Sequence, residues 1–137
     1  MVRKVGVVIA VVLAAGMLFL GSIYAVSEAA GEVISLTTYD EAGAPHTTRI
    51  WIVDDGGTQW IRAGVRANGW YARLSSHAEV VVARGGTSAR YRAVSVDTPE
   101  ACARINRLMA EKYRWADRYI DLMRDPARSV AVRLDPL

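Results

Sequence analysis

The apolar residues divide the chain into two unlike parts. Residues 5–26 contain no charge and are mostly aliphatic, whereas the rest of the chain mixes apolar and polar residues. At about 1.5 Å per residue, a helix over residues 5–26 would cross a hydrocarbon layer of roughly 30 Å. We therefore predict an N-terminal membrane anchor over residues 1–30 and one folded domain over residues 31–137.

The charges on either side of the apolar segment predict its orientation. Arg3 and Lys4 precede the segment, and Glu28, Glu32 and Asp40 follow it. The positive-inside rule then places the N-terminus in the cytoplasm and the folded domain across the membrane. A cleavable signal peptide is the alternative, but its apolar core usually has only about 7 to 15 residues. The length of the segment favours an uncleaved anchor in contact with membrane lipid.

Short segments rich in β-branched and aromatic residues follow, separated by turn residues. The segments at residues 32–39, 46–53 and 58–64 are separated by DEAGAP and DDGG, and those at 79–83 and 87–96 by Arg84-Gly85-Gly86. Glycine fits the left-handed positions of tight antiparallel turns, so this pattern predicts a three-stranded meander and then a hairpin. SVAVRL near the C-terminus predicts a sixth strand.

Two helices are predicted between the fifth and sixth strands. Thr98 can cap a helix that begins at Pro99. Its inner residues recur at helical spacing: Ala101, Ile105, Leu108 and Met109. A second helix is expected over residues 114–124, with Ala116, Tyr119, Ile120 and Met123 facing inward. Six short strands with late helices favour a mainly β fold, a small six-stranded antiparallel barrel, over a parallel sheet.

Charge and composition exclude several classes of function. From residue 31 onward the chain has 15 Lys and Arg (17 minus Arg3 and Lys4) and 13 Asp and Glu (14 minus Glu28). This domain is only mildly basic, and no basic run suggests a nucleic-acid partner. A single cysteine, Cys102, rules out an internal disulfide and a cysteine metal cluster. The two histidines have no metal-ligand spacing, so no metal site is predicted.

One stretch, WIRAGVRANGWYARL at residues 60–74, concentrates aromatic rings and guanidinium groups. Arginine forms planar bidentate contacts with phosphate or carboxylate, and glycine lets a ligand approach the backbone. Aromatic side chains can wall a flat ring. The stretch therefore predicts a pocket for a flat, anionic cofactor, whose candidate binding residues are Arg49, Trp51, Arg62, Arg66, Trp70, Tyr71 and Arg73. Packing within the sheet is the alternative for the tryptophans on the strands.

The order of the elements and three strings resemble the split-barrel flavin and deazaflavin oxidoreductases, which have the pyridoxamine-phosphate-oxidase-like fold. LTTYDEAGAPHTTRIW is similar to the first hairpin of the deazaflavin-dependent nitroreductase and quinone reductase branch. GWYARLSSHAEVVV is similar to its tryptophan-containing segment, and AEKYRWADRYIDL to its late helix. The resemblance implies a split barrel that binds coenzyme F420 or FMN and reduces a quinone or nitro-type acceptor. It also allows a homodimer with the ligand between subunits.

The sequence departs from that branch at the first turn and beyond it. The family usually carries a basic, glycine-rich string there that holds the cofactor phosphate, whereas this chain has Asp40 and Glu41. A carboxylate beside a phosphate is a like-charge contact. His46 stands where arginine is common, and Arg73 replaces an asparagine. The alternative function is therefore a non-catalytic split barrel that binds a hydrophobic or anionic small molecule at the membrane.

Overall fold

The computed structural model describes residues 2–29 and 31–137, and the chain divides into two compact units between Gly31 and Glu32. The first unit is one helix, α1 (Val2–Ala29). Its segment Lys4–Val26 is exposed and is long and apolar enough to cross a membrane. A signal sequence would satisfy the same criteria, so the membrane span stays a prediction.

The second unit is a closed barrel of six strands. In chain order they are β1 (Val33–Tyr39), β2 (Pro45–Asp55), β3 (Thr58–Ala63), β4 (Glu79–Arg84), β5 (Thr87–Val96) and β6 (Val130–Pro136). Around the barrel they follow the order β1-β2-β3-β6-β5-β4, and neighbouring strands are antiparallel. The predicted six-stranded antiparallel barrel is therefore confirmed.

Glycine pairs make the two tight hairpins, as the sequence predicted. Gly56 and Gly57 have φ angles of 58° and 83°, and Gly85 and Gly86 have φ angles of 56° and 80°. Two successive left-handed residues match the right-handed twist of the flanking strands. A side chain at these positions would be strained, so the turn sequences fix which strands pair.

Alternate residues of the strands fill the barrel. In β1, Ile34, Leu36 and Thr38 are buried, while the residues between them are partly exposed. This period of two is what a strand with one buried face requires. The interior residues form one apolar cluster, which also includes Trp70 from outside the strands: Ile34, Leu36, Ile52, Ile61, Ala63, Trp70, Val80, Val82, Ala93, Val130, Val132 and Leu134.

Three α-helices belong to the barrel unit: α2 (Gly69–Arg73), α3 (Pro99–Tyr113) and α4 (Trp115–Asp121), and a 3-10 turn follows at Pro126–Arg128. The hydroxyl of Thr98 accepts a hydrogen bond of 3.2 Å from the Ala101 amide, so Thr98 caps α3 as predicted. The short helix α2 was not predicted. The second predicted helix is also shorter than expected: it ends at Asp121, so Met123 is exposed rather than facing inward.

A cluster of charges, here the junction cluster, lies where the chain enters the barrel. Arg84 donates from Nε to Glu32 at 2.6 Å and from a terminal nitrogen to Asp54 at 2.6 Å. Lys112 Nζ lies 2.6 Å from the other oxygen of Glu32. The hydroxyl of Tyr113, the last residue of α3, is 2.6 Å from the carbonyl oxygen of Glu32. Contacts of Lys112 and Tyr113 with Glu32 thus connect the end of α3 to the residue before β1.

Candidate functional site

An open cleft of about 390 Å³ lies where β2 passes the segment that leads into α2. Five of its eight lining residues are polar, and three of those are arginines. We call it the arginine cleft; it is lined by Thr48, Arg49, Ile50, Arg62, Asn68, Gly69, Trp70 and Arg73. Four of the seven predicted binding residues, Arg49, Arg62, Trp70 and Arg73, thus come together at one place.

Arg73 is oriented by its neighbours. It ends α2, and its Nε donates a hydrogen bond of 2.8 Å to the hydroxyl of Thr38, a fully buried residue of β1. A Cβ at Gly69 would lie 3.3 Å from a terminal nitrogen of Arg73, so glycine there leaves room for the guanidinium. A side chain held in this way loses less freedom when it binds a ligand. Arg73 is therefore a preorganised donor in the cleft.

Arg49 and Asn68 approach the cleft from other elements. A terminal nitrogen of Arg49, on β2, donates to the hydroxyl of Ser35, which is directly opposite on β1, at 3.2 Å. Asn68 precedes α2, and its side chain makes no capping hydrogen bond to that helix. Guanidinium and amide N–H groups are all donors, which is the chemistry that an anionic ligand requires.

Arg62 lies at the base of the cleft and is held from the inside of the protein. Its side chain is only 7% exposed, and one terminal nitrogen lies 2.6 Å from Asp117, which is 3% exposed. The other terminal nitrogen donates to the side-chain oxygen of Asn106 at 3.0 Å. Burial lowers the pKa of Arg62, and the hydrogen bond to Asp117 opposes that shift. Arginine stays charged throughout the ordinary pH range, so Arg62 and Asp117 form a buried ion pair.

A second arginine extends this ion pair. A terminal nitrogen of Arg124 lies 3.6 Å from Asp117 and 2.5 Å from Asp121, and its side chain is 10% exposed. Two arginines and two aspartates are therefore packed together beside α4. The carboxylates compensate much of the positive charge that Arg62 would otherwise present to the cleft.

The other three predicted residues lie elsewhere. Arg66 is exposed and pairs with Asp97 at 2.5 Å, and the hydroxyls of Tyr71 and Ser95 are 2.7 Å apart. Arg66 and Tyr71 line a second open cleft of about 390 Å³. The ring of Trp51 is buried against Tyr113, with their centroids 4.2 Å apart. Trp70, although at the edge of the arginine cleft, is 5% exposed and belongs mainly to the core.

In the acidic first turn, the carboxylate of Asp40 is hydrogen-bonded by neighbouring residues of the chain. Asp40 accepts hydrogen bonds from the amides of Ala42 and Ala44 at 3.0 and 2.9 Å, and His46 Nε2 lies 2.8 Å from its second oxygen. The hydrogen bond from His46, followed by those from the backbone, lowers the pKa of Asp40. Thr38, the partner of Arg73, comes two residues before Asp40. The first turn therefore directly follows β1, the strand whose Thr38 accepts from Arg73.

Sequence reasoning missed two of the residues that define the site. Asp117 was missed because its partner, Arg62, is 55 residues away in the chain. Asn68 carried a local signal, since Asn-Gly is a typical helix-start or turn dipeptide.

Several solved structures share the fold of this chain. A conserved hypothetical protein from Mycobacterium tuberculosis has 22% identity over 77% of this chain and 73% of that one, with a TM-score of 0.62. A structure named F420 Reductase has 17% identity over 77% and 86% of the two chains, with a TM-score of 0.54. A Listeria innocua protein, proposed to be a pyridoxamine 5'-phosphate oxidase, has 18% identity over 85% and 91%, with a TM-score of 0.57.

These likenesses establish the fold alone: this is a split barrel of the pyridoxamine-phosphate-oxidase type. The chain belongs to the DUF2255 family, described as "Uncharacterized protein conserved in bacteria", which it matches over residues 23–134. No curated protein sequence matches it.

Proposed function

We propose that the arginine cleft binds the phosphate-bearing tail of a flavin-type cofactor, FMN or coenzyme F420. The chain would then be a membrane-anchored oxidoreductase that reduces a quinone or nitro-type acceptor. One observation carries the proposal: Arg49, Arg62 and Arg73 line a single open cleft together with Asn68 and Gly69. The guanidinium groups of Arg49 and Arg73 are suited to a phosphate, which accepts paired N–H donors, whereas both terminal nitrogens of Arg62 are engaged by Asn106 and Asp117.

The residues present fit the anionic tail of such a cofactor. Arg73 donates to Thr38 through Nε. Its two terminal nitrogens are therefore the groups that would contact the tail. The amide of Asn68 and the hydroxyl of Thr48 add neutral donors at the same cleft. Gly69 has no Cβ, which leaves the Arg73 guanidinium room beside the backbone. These residues would hold and orient the tail.

The flat ring of the cofactor finds fewer partners within one chain. Ile50 and Trp70 are the apolar side chains of the lining, and Trp70 is only 5% exposed. When bound, the cofactor would supply the hydride chemistry, while the protein contributes binding, orientation and electrostatics. An acceptor soluble in the bilayer, such as a quinone, would suit a barrel that is tethered to the membrane by α1.

The comparisons support this choice without extending it to substrates. A structure named F420 Reductase and a proposed pyridoxamine 5'-phosphate oxidase share the barrel. The polar groups that line the arginine cleft come from β2, β3 and the α2 region, so they depend on the barrel being formed. A cofactor phosphate is therefore the ligand that best accounts for both the fold and the charges.

A non-catalytic binding module is the second candidate, and specific contacts favour it. Asp117 compensates Arg62 from within the protein, so Arg62 adds little positive charge to the cleft. This weakens the attraction for a phosphate relative to three uncompensated arginines. Such a module would keep the barrel and bind a less charged or apolar molecule.

The visible absorption spectrum separates the two functions. The full chain would be purified from its native membrane, and its spectrum recorded before and after titration with FMN and with coenzyme F420. A bound chromophore, or saturable binding of either one, supports the oxidoreductase. A protein that binds neither, and whose copurified ligand proves by mass spectrometry to be another molecule, supports the binding module.

A further inference from the structure

Apolar side chains and cations are exposed together at the corner between α3 and α4. Trp115 is 61% exposed and Leu122 is 81% exposed, and Met123 beside them is exposed as well. Isolated exposed apolar residues are ordinary on protein surfaces. Here, however, a tryptophan and a leucine lie close together on a short helical segment. Clustered exposed apolar residues of this kind mark an interaction site.

The helix spacing places the patch on one face. Trp115, Arg118 and Leu122 are three and seven residues apart, and Leu122 continues α4 with helical backbone angles of −62° and −20°. Residues at these spacings share a side of a helix. The opposite side is buried through Ala116 and Asp117. The exposed face is thus amphipathic, with an indole, an aliphatic chain and a guanidinium side by side.

The chain turns sharply to expose this face. Arg114, between α3 and α4, has φ 51° and is the one non-glycine residue with positive φ among the residues that the structure describes. This conformation is costly for a residue with a Cβ. The turn at Arg114 places Trp115 outside while Tyr113, just before it, is buried.

This corner lies where the chain arrives from the apolar helix. The hydroxyl of Tyr113 is 2.6 Å from the carbonyl oxygen of Glu32, and Lys112 Nζ is 2.6 Å from the Glu32 carboxylate. Glu32 follows Val26, the last residue of the apolar segment, by only six residues. Six residues reach at most about 20 Å. If the segment spans a bilayer, the end of the barrel that carries Trp115 is held close to the lipid surface.

We propose that the patch formed by Arg114, Trp115, Arg118, Leu122 and Met123 docks on the phospholipid surface beside the anchor. Tryptophan favours the membrane–water interface, because its ring is apolar and its N–H is polar. Arginine binds phosphate in a bidentate manner, so the headgroups match Arg114 and Arg118. Leu122 and Met123 would lie among the upper acyl carbons, as in other amphipathic interfacial helices. The proposal depends on the membrane anchor but not on the identity of the cofactor.

Lipid quenching of tryptophan fluorescence tests the docking. The full chain, Trp115→Phe and the matched control Trp60→Phe would be reconstituted in vesicles of phosphatidylethanolamine and phosphatidylglycerol. One set of vesicles would carry bromine on the acyl chains near the headgroups. The difference between the spectra of the full chain and Trp115→Phe isolates the emission of Trp115. We expect bromine to reduce the emission of Trp115 by more than half. The emission of Trp60, isolated in the same way with Trp60→Phe, should be much less affected.

Three results would overturn the docking. The first is emission of Trp115 that is equal in brominated and plain vesicles, including emission shifted to the blue by a second copy of the chain. The second is unchanged quenching in the double variant Arg114→Gln, Arg118→Gln, since these substitutions remove the proposed contact with the headgroups. The third is release of the protein from the vesicles by alkaline carbonate, which would overturn the anchor as well. Trp115 is on the surface, so its replacement leaves the fold intact.

Discussion

The indole of Trp51 lies flat against the ring of Tyr113, with centroids 4.2 Å apart and an interplanar angle of 6°. This contact joins β2 to the end of α3 on the outer side of the barrel. The Tyr113 hydroxyl adds polar contacts: it accepts from the Ile52 amide at 3.1 Å and is 2.6 Å from the Glu32 carbonyl oxygen. One buried side chain thus connects a helix to two neighbouring strands.

Replacement of Tyr113 by phenylalanine should destabilise the barrel without removing the stack. Burial raises the pKa of Tyr113 to about 12, so the hydroxyl is neutral and able to donate throughout the ordinary pH range. Its loss leaves the Ile52 amide without this partner, which costs about 1–3 kcal/mol. The midpoint of urea unfolding should fall accordingly.

Tyr91→Phe is the matched control for this change. Tyr91 is on β5, and within residues 2–29 and 31–137 its hydroxyl makes no hydrogen bond in the structure. Its replacement should change the unfolding midpoint much less. Equal midpoints for the parent and Tyr113→Phe would show that the hydroxyl contributes nothing to the attachment of α3.

The junction cluster should make the stability of the barrel depend on acidic pH. Hydrogen bonds from Arg84 are the largest cause that lowers the pKa of Glu32 from its ordinary 4.5 and that of Asp54 from 3.8. Because the folded pKa values are the lower ones, this stabilisation is fully present above about pH 4.5 and is lost as the pH falls through the folded values.

Arg84→Met removes the donor and should therefore flatten the acid side of the stability curve. At neutral pH the variant should be about 1 kcal/mol less stable, since each partly exposed ion pair contributes little to the free energy of unfolding. Thermal unfolding between neutral pH and about pH 3 measures both effects. Parallel curves for the parent and the variant would contradict the assignment to Arg84.

The buried pair of Arg62 and Asp117 should behave as a coupled unit. Asp117→Leu or Arg62→Met each leaves a buried charge without its nearest partner, which costs about 3–5 kcal/mol. The double variant Arg62→Met, Asp117→Leu removes both charges and should lose less than the sum of the single losses. Urea unfolding of the four proteins gives the coupling free energy. Strictly additive losses would refute the pairing.

The orientation of the anchor has a direct test. A reporter that is active only outside the cytoplasm, fused after Leu137, should be active, because Arg3 and Lys4 hold the N-terminus inside. Replacement of both by glutamine should weaken this preference. Activity of a cytoplasm-dependent reporter alone would reverse the orientation and would place the barrel beside the cytoplasmic cofactors.

Local signals account for the parts of the fold that were predicted correctly. The Gly-Gly turns fix two hairpins, and the Thr98 cap with Pro99 fixes the start of α3, since each signal acts within a few residues. The short α2 was missed because its five residues make no side-chain cap. Met123 was placed inside because Asp125-Pro126 was taken as the helix end, whereas α4 ends earlier, at Asp121.

The candidate site was predicted only in part, since its geometry depends on contacts between distant segments. Clustering in the sequence grouped Arg62 with Arg66, but β3 ends at Ala63, between them, and Arg66 pairs with Asp97 instead. Arg49 was grouped with the site although it lies on another strand, and the fold brings it to the same cleft. The partner that neutralises Arg62 lies in α4, beyond the reach of any local pattern.

The titration of arginine-cleft variants tests the cofactor proposal most directly. Arg62 is unsuitable for this purpose, because its replacement would leave the buried Asp117 without its nearest partner. Arg49→Gln, Arg73→Gln changes the cleft without breaking that ion pair, and Arg90→Gln is the matched control, an exposed arginine that pairs with Glu79 on the outside of the barrel. A thermal melt would establish that each variant is folded.

Charge-assisted hydrogen bonds contribute about 1.5–3 kcal/mol each, so the double variant should bind FMN or coenzyme F420 roughly two to four powers of ten more weakly than the parent. Arg90→Gln should bind with the parental dissociation constant. Isothermal titration of the three folded proteins gives the answer. Equal affinity of the parent and the folded Arg49, Arg73 variant, or a parent that binds neither cofactor, would contradict the proposed function.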